Sequence, residues 1–180
     1  MTEQDEQIVD ELLVMECQDG SAKALERLVS RWQRRLWQYA YRLTGNAEAA
    51  WDVTQESWLG VVRGLSHLND PARFRPWVYR IVTRKADDWI ARNAKARRRT
   101  ETIPAEPEQN PSQDREASDD LQSLMGRLPD QSRTVLALCY LEGLPIAEIA
   151  RVLGIPEGTV KSRLHAARNE LKALWRQASE

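Results

Sequence analysis

Residues 144–168 read LPIAEIARVLGIPEGTVKSRLHAAR, and a run of this kind admits few folds. Ile146, Ile149, Ala150 and Leu153 line one helix at intervals of three and four. Gly154-Ile155-Pro156 supplies a tight turn, and Val160, Leu164 and Ala167, continued by Leu171 and Leu174, line a second helix. A small residue where two helices cross, a glycine where the turn needs positive φ and a valine buried beneath the second helix make the helix-turn-helix pattern. Pro145 sits in a first turn, where the missing N–H costs nothing. In this motif the second helix presents its N-terminal half to base edges in the major groove. Subtracting the apolar positions leaves Lys161, Ser162, His165 and Arg168 as the DNA-facing side, with Arg163 toward the flank. These side chains can donate to guanine acceptors or to phosphates. A plain helical packing domain with a solvated basic helix would use the same pattern.

The rest of the chain is also patterned for helices. Leu121, Leu124, Met125 and Leu128 predict a short helix ending at Pro129, and Asp130 is read as the cap of another running to Gly143. In the first half, Ser21 caps a helix lined by Leu25, Leu28, Val29, Trp32, Leu36, Ala40 and Leu43. Gly45 stops it and Asn46 caps the next, which is expected to bury Trp51, Thr54, Trp58, Val61 and Val62 and to run to about Arg63. After a turn-rich loop, Phe74, Trp77, Val78, Ile81, Val82, Trp89 and Ile90 recur at helical spacing opposite a basic face. Residues 100–119 carry Pro104, Pro107 and Pro111 in a polar run without aromatics, a composition that cannot bury enough to order itself and reads as a flexible acidic tether. Nothing alternates with period two over a useful length. The expectation is an all-α chain of two small helical domains, 1–99 and 120–180, joined by the linker 100–119.

Composition narrows the function. Cys17 and Cys139 form no C-x-x-C pair, and His67 and His165 stand alone, so a disulfide framework, a metal site or a cofactor has no support. No phosphate-binding glycine loop or hydrolase motif occurs, which argues against an enzyme and a small-molecule substrate. The acidic start is no secretory signal and no apolar run is long enough to span a bilayer, so a cytoplasmic protein without membrane insertion is expected. The net charge of −1 hides a strong asymmetry. Residues 1–30 carry eight acids against Lys23 and Arg27, whereas 73–99 carry ten bases against Asp87 and Asp88. Arg80, Arg84, Lys85 and Arg92 are either the wet face of an amphipathic helix or, beside aromatic rings, equipment for single-stranded DNA. Most of the seven tryptophans lie on apolar stripes and are better read as core.

These segments, in this order, resemble the sigma-70 family of RNA polymerase sigma factors and, within it, the extracytoplasmic-function (ECF) group. The resemblance rests on AEAAWDVTQESWLGVV (47–62), FRPWVYRIVTRKADDWI (74–90) and the segment from Leu128 to Leu171, with GTVKSRLHAAR as its most specific run. It implies promoter recognition, DNA melting and transcription initiation. Asp52, Gln55 and Glu56 would bind core polymerase through the clamp helices of its beta-prime subunit, with the beta subunit a further partner. Arg80, Arg84 and Lys85 would meet the minus-ten element, the loop from Leu65 to Pro71 would capture a flipped base, and Lys161, Ser162, Arg163, His165 and Arg168 would read the minus-thirty-five element of promoter DNA. An anti-sigma factor is an implied partner. The rival is a self-sufficient helix-turn-helix transcription factor that dimerises on a palindrome, and an adaptor without DNA contact is a third possibility.

Overall fold

A computed structural model describes residues 3–99 and 116–178, with side chains for 4–96 and 121–178. Every regular element among the described residues is helical: α1 Glu3–Gln18, α2 Ala22–Thr44, α3 Ala47–Gly64, α4 Phe74–Arg99, α5 Glu116–Gly126, α6 Asp130–Leu136, α7 Ile146–Leu153 and α8 Glu157–Ala178. The linker expected at 100–119 lies outside the described residues except at its end, where Glu116 already opens α5.

The caps read from sequence hold. Ser21 Oγ accepts from Ala24 N at 3.2 Å, and Asn46 Oδ1 accepts from Ala49 N at 2.8 Å. Gly45 ends α2 at φ 67°, donating to Tyr41 O. The segment before Ser21 is a helix too. Leu13 and Val14 of α1 are buried, and Asp10 pairs with Arg31 of α2 at 2.9 Å.

α3 corrects an expectation. Thr54 and Val61 are buried and Trp58 is half-buried, but Trp51 and Val62 are 44% and 55% exposed. The face turned inward is made instead of Ala49, Ala50, Val53, Thr54, Ser57 and Val61, mostly small residues that let neighbouring helices approach. Two glycines extend this close contact with α4. A Cβ built at Gly60 would lie 3.3 Å from Ile81, and one at Gly64 only 2.9 Å from Trp77 Cζ2. Gly64→Ala therefore should push the Trp77 ring outward at a cost of about 1–3 kcal/mol, read as a lowered thermal midpoint; an unchanged midpoint would show that the two helices can part freely.

The expected helix from Asp130 to Gly143 is interrupted. α6 ends at Leu136, and Ala137–Leu141 form a π-helical turn in which Glu142 N reaches back to Ala137 O. Asp130 does not cap: Pro129 holds the N-cap position, and the Asp130 carboxylate pairs with Arg133 at 3.4 Å. The turn between α7 and α8 is as read, with Gly154 at φ 67° and its N–H donated to Ala150 O.

The two halves share one buried cluster, in which Phe74, Val78 and Val82 of α4 are continuous with Leu138, Ile149 and Val160 of the C-terminal helices. α4 packs on α7.

Candidate functional site

Burial of Val160, Leu164 and Ala167 fixes the rotation of α8. Lys161, Ser162, His165 and Arg168 are consequently exposed together along one side of its first half, with Arg163 half-buried at the flank. Ser162 Oγ donates to Thr159 O at 3.0 Å, and Asn169 Nδ2 lies 3.2 Å from His165 Nε2. Arg168 is anchored by a residue that sequence reading missed: its Nε donates to Tyr140 Oη at 2.6 Å, and its guanidinium lies over the Tyr140 ring at 5.5 Å. Tyr140 comes from the π-turn, so no spacing within α8 could have shown it.

On α3, Asp52 and Gln55 are exposed and Glu56 is half-buried. They share their side of the helix with Trp51, Leu59 and Val62, all more than 40% exposed. Apolar side chains at intervals of eight and three, flanked by carboxylates, have the composition of a protein interface: an apolar centre with a polar rim. Leu59 was absent from the sequence reading.

The basic set on α4 is divided. Arg84 is exposed, whereas Lys85 Nζ donates to Glu56 Oε2 at 3.0 Å and so ties α4 to α3. Arg80 does not lie on an open wet face as expected: it is half-buried, its guanidinium against the turn at Gly154. Before α4, the loop is held in place by Gln18 of α1, whose Nε2 donates to Leu65 O at 2.9 Å and Leu68 O at 2.7 Å. Asp70 braces its far end by accepting from Ala72 N and pairing with Arg73 at 3.1 Å. Ser66, His67 and Asn69 project outward from this braced loop.

Comparison with known proteins decides the family. The sigma-70 region 2 model matches residues 28–96 and the sigma-70 region 4 model residues 118–171. The RNA polymerase sigma-H factor of Pseudomonas aeruginosa is 30% identical over 190 residues, covering 96% of this chain and 94% of that protein. The chain belongs to the sigma-70 family. The ECF RNA polymerase sigma factor SigE of Mycolicibacterium smegmatis is 36% identical over 155 residues, 82% of this chain but 60% of that protein. The solved structure of CnrH in complex with the cytosolic domain of CnrY superposes with a TM-score of 0.70 at 27% identity, covering 94% of this chain and 98% of that one. This sigma factor of the ECF group binds core RNA polymerase and directs promoter recognition at transcription initiation. The rival of a self-sufficient dimeric regulator gives way, because the N-terminal half is itself region 2.

Proposed function

We propose that residues 1–99 bind core polymerase and engage and melt the minus-ten element, that 100–119 tether the halves, and that 120–180 read the minus-thirty-five element. α8 supports this reading most: its buried stripe leaves Lys161, Ser162, His165 and Arg168 exposed on one side of a major-groove-sized helix. The exposed stripe of α3, around Asp52, Gln55 and Glu56, suits the polymerase clamp. Arg80, Arg84 and Lys85 would follow the minus-ten strand, and the loop from Leu65 to Pro71 would receive an unstacked base. The chain works without catalysis of its own, and its place is the cytoplasm; no helix among the described residues is long and apolar enough to cross a membrane. CnrH is solved with CnrY, and the sigma factor RpoE of Bartonella quintana with the anti-sigma factor NepR. A restraining anti-sigma factor is proposed for this chain by the same likeness.

Run-off transcription from a promoter library tests the proposal. Core polymerase supplemented with the protein should yield start sites absent from core alone, sharing two upstream elements. If none appear while the protein co-purifies with core, the assignment of the DNA-reading faces is wrong.

A further inference from the structure

α1 is apolar on two sides. Val9, Leu13, Val14 and Cys17 pack toward the core, and the Asp10–Arg31 pair and Gln18, which donates to the loop before α4, fix the helix there. On the other side Ile8, Leu12 and Met15 are all more than half exposed. Their spacing of four and three places them in one row along the helix. A single exposed leucine is ordinary, whereas three large apolar side chains in a row make a continuous patch. The edges of the row are acidic. Glu11 is half-buried and accepts from Gln7 Nε2 at 2.9 Å, Glu16 is exposed on the other edge, and Asp19 is exposed just past the end of the helix. Residues 1–20 contain neither Lys nor Arg.

We propose that this side of α1 docks one helix of a partner protein, an amphipathic helix whose apolar row is edged by Lys and Arg. None of the faces assigned to polymerase or DNA is used. Ile8, Leu12 and Met15 recur as the d, a and d positions of a heptad, the spacing with which one helix lays an apolar seam along another. In that register Glu11 falls at g and Glu16 at e, the positions whose charges choose the partner. A second copy of α1 is a poor occupant in either direction. Parallel packing sets Glu11 of one copy against Glu16 of the other, and antiparallel packing sets Glu11 against Glu11 and Glu16 against Glu16. DNA and anionic lipid carry the same sign as the rim and are repelled by it. A helix with cations at both edges meets an acid on each side and covers the apolar row between them.

The probe is a fluorescein-labelled synthetic peptide of three heptads with Leu at a and d and Lys at e and g, titrated with the full chain and followed by fluorescence anisotropy. It should bind in the micromolar range expected of a short seam. The same peptide with Glu at e and g should bind at least about tenfold more weakly. Leu12→Ser should lose about tenfold in affinity for the Lys peptide. Leu59→Ser should not, although Leu59 is equally exposed and also has acids beside it on α3. The double substitution Glu11→Lys, Glu16→Lys keeps the apolar row and should reverse the preference, taking the Glu peptide over the Lys peptide. Circular dichroism should give these variants the helix content and thermal midpoint of the wild type, since none of the substituted side chains belongs to the buried core. Absence of binding by the wild type, a Leu12→Ser protein that loses no more than Leu59→Ser, or an unreversed preference in the double variant overturns the docking surface. Sedimentation of the free chain as a dimer that Leu12→Ser dissociates would give the row to a second copy. Binding to vesicles of phosphatidylcholine and phosphatidylglycerol that Leu12→Ser abolishes would give it to a lipid surface. Either result overturns the proposal as well.

Discussion

Leu59→Glu should lower the affinity of this protein for core polymerase by about thirtyfold or more, the loss typical of an interfacial anchor, while leaving its thermal midpoint unchanged. The two halves of that expectation come from one observation. Leu59 is 56% exposed on a helix whose inner face is already filled by Ala50, Val53, Thr54, Ser57 and Val61. It contributes little to the folded state, so a charge there costs the fold within about 0.5 kcal/mol. At the interface the same carboxylate would be desolvated beside Gln55 and Glu56. Asp52→Lys should behave differently. A rim charge acts chiefly on encounter, so it should slow association and flatten its salt dependence rather than speed dissociation. Surface plasmon resonance on immobilised core polymerase separates the two. A Leu59→Glu protein that binds core as the wild type does would move the interface off this side of α3.

What the sequence disclosed and what it withheld divide along a physical line. Caps and turns are local: Ser21, Gly45, Asn46 and Gly154 satisfy backbone groups within a few residues, and each was legible. The exposed side of α8 was legible too, because α8 has one clean apolar stripe and its complement is what remains. α3 was misread because its large apolar residues are not its packing residues. Helices can approach closely over Ala50, Ser57 and Gly60, so the inward face is the small-residue face and Trp51, Leu59 and Val62 are displaced outward. A rule that equates large with buried fails on such a helix. The π-turn was invisible for a different reason: one extra residue in the backbone ladder leaves no mark in composition, yet it orients Tyr140 toward Arg168 and precedes Glu142. Both residues act through partners more than 25 positions away, beyond any periodicity.

The π-turn also bears on charge. A chain of net charge −1 cannot rely on bulk attraction to DNA. Its cations have to be positioned, and several are already held by its own acids: Arg31 by Asp10, Arg42 by Glu142, Lys85 by Glu56. Those that remain at the surface of α8 are few, so under the proposed role each would carry a large share of DNA contact.

Arg168→Ala is accordingly expected to weaken promoter binding by the holoenzyme by about 10- to 100-fold, the range of one bidentate contact of about 1–3 kcal/mol. The geometry favours such a contact. Tyr140 Oη accepts a hydrogen bond from Nε and its ring lies 5.5 Å from the guanidinium, which leaves the two terminal nitrogens as a pair of donors. A fork held in one orientation loses less freedom on binding than a free arginine. Tyr140→Phe, which keeps the ring but not the hydroxyl, should therefore reproduce a fraction of the loss, and Trp175→Phe, farther along α8, should be silent. The form of the loss distinguishes base from phosphate. If Arg168 reads a guanine, Arg168→Ala relaxes preference at one position of the minus-thirty-five element and leaves the others intact. If it holds a phosphate, binding weakens alike for every sequence and the salt slope falls by about one. Equal losses in Arg168→Ala and Trp175→Phe would remove the recognition role from this side of α8 altogether.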